Sequence, residues 1–93
     1  MPNLFPIGNV VMTRNVSLFF SERENGFVEM LSLLGKHASG NWGIVSKADA
    51  QENDLSVREG YRILSAYMIA ERKIWLITEA DRNSTTFLFP EEY

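Results

Sequence analysis

The side chains able to do chemistry are few. His37 is the only histidine in the 93-residue chain, and an imidazole can shuttle protons near neutral pH. Arg62 and Arg82 can hold a phosphate through their forked donors and stabilise the charge that builds on it. Glu79 or Asp81 can serve as base, and Ser65, Thr78, Thr85 and Thr86 place hydroxyls on the intervening strands. Together these groups match metal-independent cleavage of a phosphodiester, with His37 as general acid and the two arginines as clamps.

Each also has a simpler explanation, and the simpler one is favoured throughout. His37 follows Lys36 at the end of a helical pattern, where positive charge suits the helix dipole. Each arginine has a carboxylate nearby to pair with, Glu79 or Asp81. Asp81 lies in a hairpin loop, where Asp is favoured by turn geometry. Threonine packs well across strands, which accounts for most of the hydroxyls. Ser65 is harder to explain, because it brings a polar group among Ile63, Leu64 and Tyr67. Trp42 could stack on a base, although a Trp between Gly40 and Gly43 more simply pins its loop to the core. On a regular strand Arg62 and Ser65 point to opposite sides, so one groove could not hold both without a bulge.

Composition narrows the classes further. Apolar residues make up 45% of the chain and charged residues 23%, which is the mixture of one globular domain spanning residues 1–93. Without cysteine there is no disulfide, no thiolate zinc site and no cysteine nucleophile; one histidine supplies a transition metal poorly, so no metal site and no cofactor is expected. No phosphate-cradling glycine loop is present. The net charge of −3 and pI near 5.0 disfavour a sequence-independent nucleic-acid binder. The N-terminus lacks the basic and apolar regions of a signal peptide, and no apolar run approaches the ~20 residues of a membrane span. A cytoplasmic protein is the expectation.

The elements that must position these groups follow from periodicity and punctuation. Residues 1–7 hold two of the three prolines and read as an extended arm, followed by a short strand near Val10 and Val11. Thr13 is placed to cap a helix over residues 14–22, with Val16, Phe19 and Phe20 on one face. After Asn25-Gly26, Phe27, Met30, Leu31 and Leu34 form the strongest helical pattern in the chain, predicting a core-facing stripe that ends near Gly40. Ser46 and Asp49 predict a short helix over roughly 47–53, and the polar stretch from Asn53 to Gly60 can continue it as a helical turn ended by Gly60. Three strands follow, at 61–68, 73–79 and 84–89, with connectors of hairpin length. The fold class is therefore α+β: N-terminal helices packed on a C-terminal antiparallel meander of three to four strands. In the middle strand both alternating sets are apolar, Ile74 and Leu76 on one side, Trp75 and Ile77 on the other. A sheet with one wet face would alternate apolar and polar. Both faces should therefore be covered, the second by the N-terminal arm, a second copy or a protein partner.

Several motifs span nearly the whole chain. They are Phe5-Pro6-x-Gly8-x-Val10-Val11-x-Thr13, His37-x-Ser39-Gly40-x-Trp42-Gly43, Asn53-Asp54, Gly60-x-Arg62-x-x-Ser65-x-Tyr67, Ile74-Trp75-x-Ile77-Thr78-Glu79-Ala80-Asp81-Arg82 and Thr85-Thr86-x-Leu88-x-Pro90-Glu91-Glu92-Tyr93. This set resembles a family of small bacterial proteins of plasmids and integrated mobile elements, and the Ile-Thr-Glu-Ala-Asp-Arg block is its most specific part. The resemblance implies a setting, not a mechanism. In layout alone the chain also resembles barnase and the RelE-type toxins, which implies a metal-independent ribonuclease by analogy of fold. Two functions are thus in view. One is an accessory protein of a mobile element acting by protein–protein interaction, as a host-defence inhibitor or regulator, with Trp42, Trp75, Asp81, Arg82 and Thr86 as binding residues. The other is a small ribonuclease using His37, Glu79, Arg62 and Arg82. The first fits the acidity and the doubly apolar strand better.

Overall fold

Caps and turns set the element boundaries in the computed structural model, which describes residues 3–93; Pro2 of the proline arm lies outside that range. Thr13 is extended and its Oγ1 accepts the Val16 amide at 3.3 Å, opening α1 (Arg14–Ser21). Ser46 likewise accepts the Asp49 amide at 3.0 Å and opens α3 (Lys47–Glu59). Both side chains satisfy donors that a helix start leaves free. Between them runs α2 (Gly26–Ala38). α3 runs on from the 47–53 segment through the polar stretch and stops at Gly60, whose φ of 79° is the left-handed conformation of a helix terminator. Its polar second half stays helical because Asn53 and Ser56 are buried and Ala50 and Val57 pack on the cluster of Phe5, Trp42 and Ile63.

Four strands form one sheet, β1 (Asn9–Met12), β2 (Ile63–Ile69), β3 (Arg72–Thr78) and β4 (Ser84–Leu88), in the order β1-β4-β3-β2. The fold is α+β, with helices preceding the C-terminal strands. β2, β3 and β4 are the antiparallel meander that their short connectors predict. β1 instead lies parallel to β4, with Asn9 opposite Ser84 and Met12 opposite Phe87, so the sheet is mixed rather than purely antiparallel. Nothing local dictates this. The pairing joins opposite ends of the chain and is closed by the Asn9 amide on Asn83 O (2.9 Å) and the Thr13 amide on Phe87 O (3.0 Å).

The helices cover one face of the sheet. Ile74, Leu76 and Phe87 are fully buried there against Val16 and Phe20 of α1 and Leu33 of α2. Each such side chain contributes roughly 1.5–3 kcal/mol by leaving water. α2 does not present the face its periodicity predicts. Gly26, Leu33, His37 and Ala38 are buried, Met30 and Leu34 are half-buried, and Phe27 and Leu31 are exposed. Apolar residues lie on several sides of this helix, so periodicity alone leaves its rotation open. The rotation is set by His37, described below, and by Gly26, where a Cβ would stand 1.9 Å from the Phe20 carbonyl oxygen.

The opposite face is only partly covered, and not by the N-terminal arm. Phe5 of the arm lies on the helical side, against His37 and Trp42. A single 3-10 turn, Pro90–Glu92, brings Tyr93 to 5.7 Å from the half-buried Trp75, and the Arg62 guanidinium sits 5.3 Å over the Tyr93 ring. Glu92 holds this turn in place. Its carboxylate accepts the Phe89 backbone amide (2.9 Å), the Thr13 hydroxyl (2.8 Å) and the Asn15 side-chain Nδ2 (3.0 Å), and these bonds lower its pKa below the usual carboxylate range.

The outer edge of β2 would expose unpaired backbone groups. Ala66 is paired by residues 42–44: its amide donates to Trp42 O at 3.1 Å and its carbonyl accepts the Ile44 amide at 2.8 Å. At Gly43, φ is 76° and a Cβ would fall 2.0 Å from the Ala66 oxygen, so only glycine fits. One step along, the Asn53 side chain imitates a strand. Its Nδ2 donates to Leu64 O at 2.7 Å and its Oδ1 accepts the Leu64 amide at 3.2 Å. Among the described residues no helix is long and apolar enough to cross a membrane.

The β2–β3 hairpin turns on Ala70 and Glu71, with φ of 48° and 65°. Positive φ at both positions is what a type I′ turn requires, and Asn-Gly is its preferred pair. The double substitution Ala70→Asn, Glu71→Gly should therefore stabilise the fold by about 1–2 kcal/mol. Urea unfolding measures this, and an unchanged or lower midpoint would count against a strained turn.

Candidate functional site

The residues that suggested chemistry are divided between the two sides of the sheet. His37, in the last turn of α2, points inward and is fully buried. Its Nδ1 lies 2.6 Å from Ser65 Oγ on β2, and its Nε2 lies 2.8 Å from Thr78 Oγ1 on β3. Thr78 Oγ1 lies 2.7 Å from Thr85 Oγ1 on β4, and the Thr85 hydroxyl donates to the Ile7 carbonyl at 2.7 Å. This carbonyl fixes the polarity of the chain, because it can only accept. Thr85 spends its proton on Ile7 and so accepts from Thr78. Thr78 in turn accepts from His37, whose proton is therefore on Nε2. Nδ1 is left to accept from Ser65. The imidazole is neutral, and every group in the chain is paired.

Aromatic rings enclose the relay. Phe5 meets the His37 ring edge-on at 5.3 Å and Trp42 does so at 6.0 Å. Burial pushes the imidazole down to about 4, because a charge there would lose its water. The simpler reading of His37, a dipole-stabilised cation at a helix end, is corrected by this environment: the ring is neutral and belongs to the core. Its role explains Ser65 as well, since that hydroxyl is the imidazole's donor. Tyr67 is also core, its hydroxyl donating to Asn41 O at 2.7 Å and its pKa pushed up to about 12 by burial.

Arg82 does not pair with a carboxylate. Its Nη1 donates to Tyr61 O (2.7 Å) and Glu79 O (3.1 Å), and its Nη2 to Ser56 O (2.7 Å). Ser56 lies in the last turn of α3, so the guanidinium caps that helix and ties it to the β3–β4 loop. Its carbon also lies 5.5 Å over the Phe5 ring. Backbone carbonyls thus engage both Nη1 and Nη2. Asp81 accepts the Asn83 amide at 2.9 Å and the Asn83 side chain at 3.1 Å, an Asx arrangement within the turn. The contribution of Glu79 to Arg82 is its backbone oxygen.

Arg62 stands apart from this group. It is exposed, and its guanidinium donates to the Tyr93 hydroxyl and covers the Tyr93 ring. Thr86 is half-buried in β4, opposite Ile77 on one side and Val11 on the other. Trp42 is buried and its Nε1 donates to Asp54 Oδ1 at 3.0 Å, docking its loop onto α3. His37, Arg62 and Arg82 therefore do not share a groove: one is enclosed, one is bonded to carbonyls and one faces the far side. A cleft near Arg62, lined also by Asp49, Glu52, Asn53 and Leu64, opens beside α3 without reaching His37. Sequence reasoning gave no role to Asn53 or Asn41, whose roles depend on strand edges and loops brought together by the fold. The surface it did not single out is the outer side of α2, where Phe27, Val28 and Leu31 stand in solvent. No family model, curated protein or solved structure matches the chain.

The relay makes stability depend on pH. The unfolded imidazole takes up a proton near 6.5, the folded one only near 4. Between those values the unfolded state binds more protons, so stability falls as pH drops from about 6.5 to 4, by an amount on the order of 3 kcal/mol in all. Above pH 6.5 this contribution is flat. His37→Gln keeps one acceptor and one donor but cannot titrate, so it should cost about 1–2 kcal/mol at neutral pH and lose most of the acid slope. Urea unfolding at stepped pH tests this; an equal slope in both proteins would show that His37 is not its source.

Proposed function

We propose that this chain acts by binding another protein, as a cytoplasmic accessory of the mobile elements its motifs resemble, in the role of a host-defence inhibitor or regulator. The observation that carries this reading is the apolar outer face of α2. A helix apolar on its outer side normally meets something, and here the chain's most regular apolar pattern is only half used by its own core. The acidic balance suits a protein partner better than a phosphate backbone. The side chains that suggested a ribonuclease are committed to holding the fold or lie on separate surfaces, so that alternative gains no support from the geometry.

Tagged protein captured from a bacterial lysate, with and without ribonuclease, tests the reading against Leu31→Asp as control. A stoichiometric protein partner should survive ribonuclease and be lost with Leu31→Asp, which changes an exposed side chain and leaves the circular dichroism spectrum unaltered. Recovery of ribosomes or transcripts only, abolished by ribonuclease, would refute the proposal.

A further inference from the structure

Phe27, Val28 and Leu31 on α2 are 69%, 64% and 47% exposed. Further along the same helix, Gly35 is exposed, and a Cβ built there would meet nothing within 4 Å. Glycine weakens a helix interior relative to alanine, and no neighbour in the fold requires it at this position. Phe27, Leu31 and Gly35 fall at i, i+4 and i+8, a single ridge of the helix surface. Leu31 is its midpoint, with the largest side chain one turn to one side and the absent side chain one turn to the other, each about 6 Å away along the axis.

We propose that α2 pairs with the α2 of a second copy of this chain, crossing antiparallel about a two-fold axis at Leu31, so that each Phe27 ring lies over the partner's Gly35. The arrangement is self-complementary, as a two-fold interface must be. Antiparallel pairing also opposes the two helix dipoles.

Area sets the strength. The three apolar side chains offer roughly 300 Å² per copy, judged from the size of such residues, and the polar flanks bring the pair to about the 1,000 Å² at the low end of specific interfaces. The result is a weak, reversible dimer with a dissociation constant in the micromolar range.

This inference rests on reading α2 as a protein-binding face, and the test separates the two. Sedimentation equilibrium of the purified chain from about 5 to 500 μM should show the mass rising from 10.6 kDa toward twice that value. Gly35→Leu fills the open position with a better helix former; it should melt no lower than the wild type yet weaken the dimer about tenfold or more. Phe27→Ser should do the same to association. A wild type that stays monomeric, or a Gly35→Leu variant that dimerises equally well, overturns the proposal. If the chain is monomeric while Leu31→Asp still abolishes capture of another protein, self-pairing falls and the interaction reading survives.

Discussion

A single neutral imidazole and the hydrogen-bond chain that runs from it hold the two halves of this molecule together. His37 belongs to α2, Ser65 to β2, Thr78 to β3 and Thr85 to β4, and the last bond reaches Ile7 in the N-terminal arm, 78 residues from Thr85. The carbonyl at the end leaves one consistent set of donors and acceptors. Orphaning any buried member costs about 1–3 kcal/mol, a large share of the stability of a small domain. Hydrogen bonds in series also polarise one another in a dry interior. Phe5 and Trp42 keep water from the ring, so the arm and the 42–44 loop become part of the same unit.

The relay also explains how α2 is oriented. A helix apolar on several sides is free to rotate until something directional fixes it. Two bonds from one imidazole to two neighbouring strands are directional, and the contact of Gly26 with the Phe20 carbonyl admits no Cβ. With that rotation set, Leu33 joins Leu76 and Phe87 in the core and Phe27, Val28 and Leu31 are turned outward. The exposed apolar surface is thus the counterpart of the buried polar network.

The remaining polar side chains serve edges and ends. Asn53 stands in for a strand beside Leu64, Arg82 closes α3 through backbone carbonyls, and Glu92 gathers Thr13, Asn15 and the Phe89 amide. Each answers the same requirement, that backbone donors and acceptors withdrawn from water find partners. Arg82, which could have bound a phosphate, is used in this way.

Local chemistry was legible from the amino-acid order alone. Thr13 and Ser46 announce helix starts, Gly60 a helix end, and alternating β-branched and aromatic runs the three strands of the meander, because each signal depends on residues a few positions apart. The opposite directions of Arg62 and Ser65 were also legible, since side chains alternate along a strand. What only the tertiary structure decided was everything joining distant segments. β1 lies parallel to β4 because the two ends of the chain meet. α3 continues through a polar stretch because its inner side finds Ile63 and Phe5. His37 is a neutral core group because two strands bring hydroxyls to both its nitrogens, and Arg82 caps a helix because the fold places three carbonyls around it. No sequence window contains those partners, so periodicity and composition could name the residues but not the company they keep.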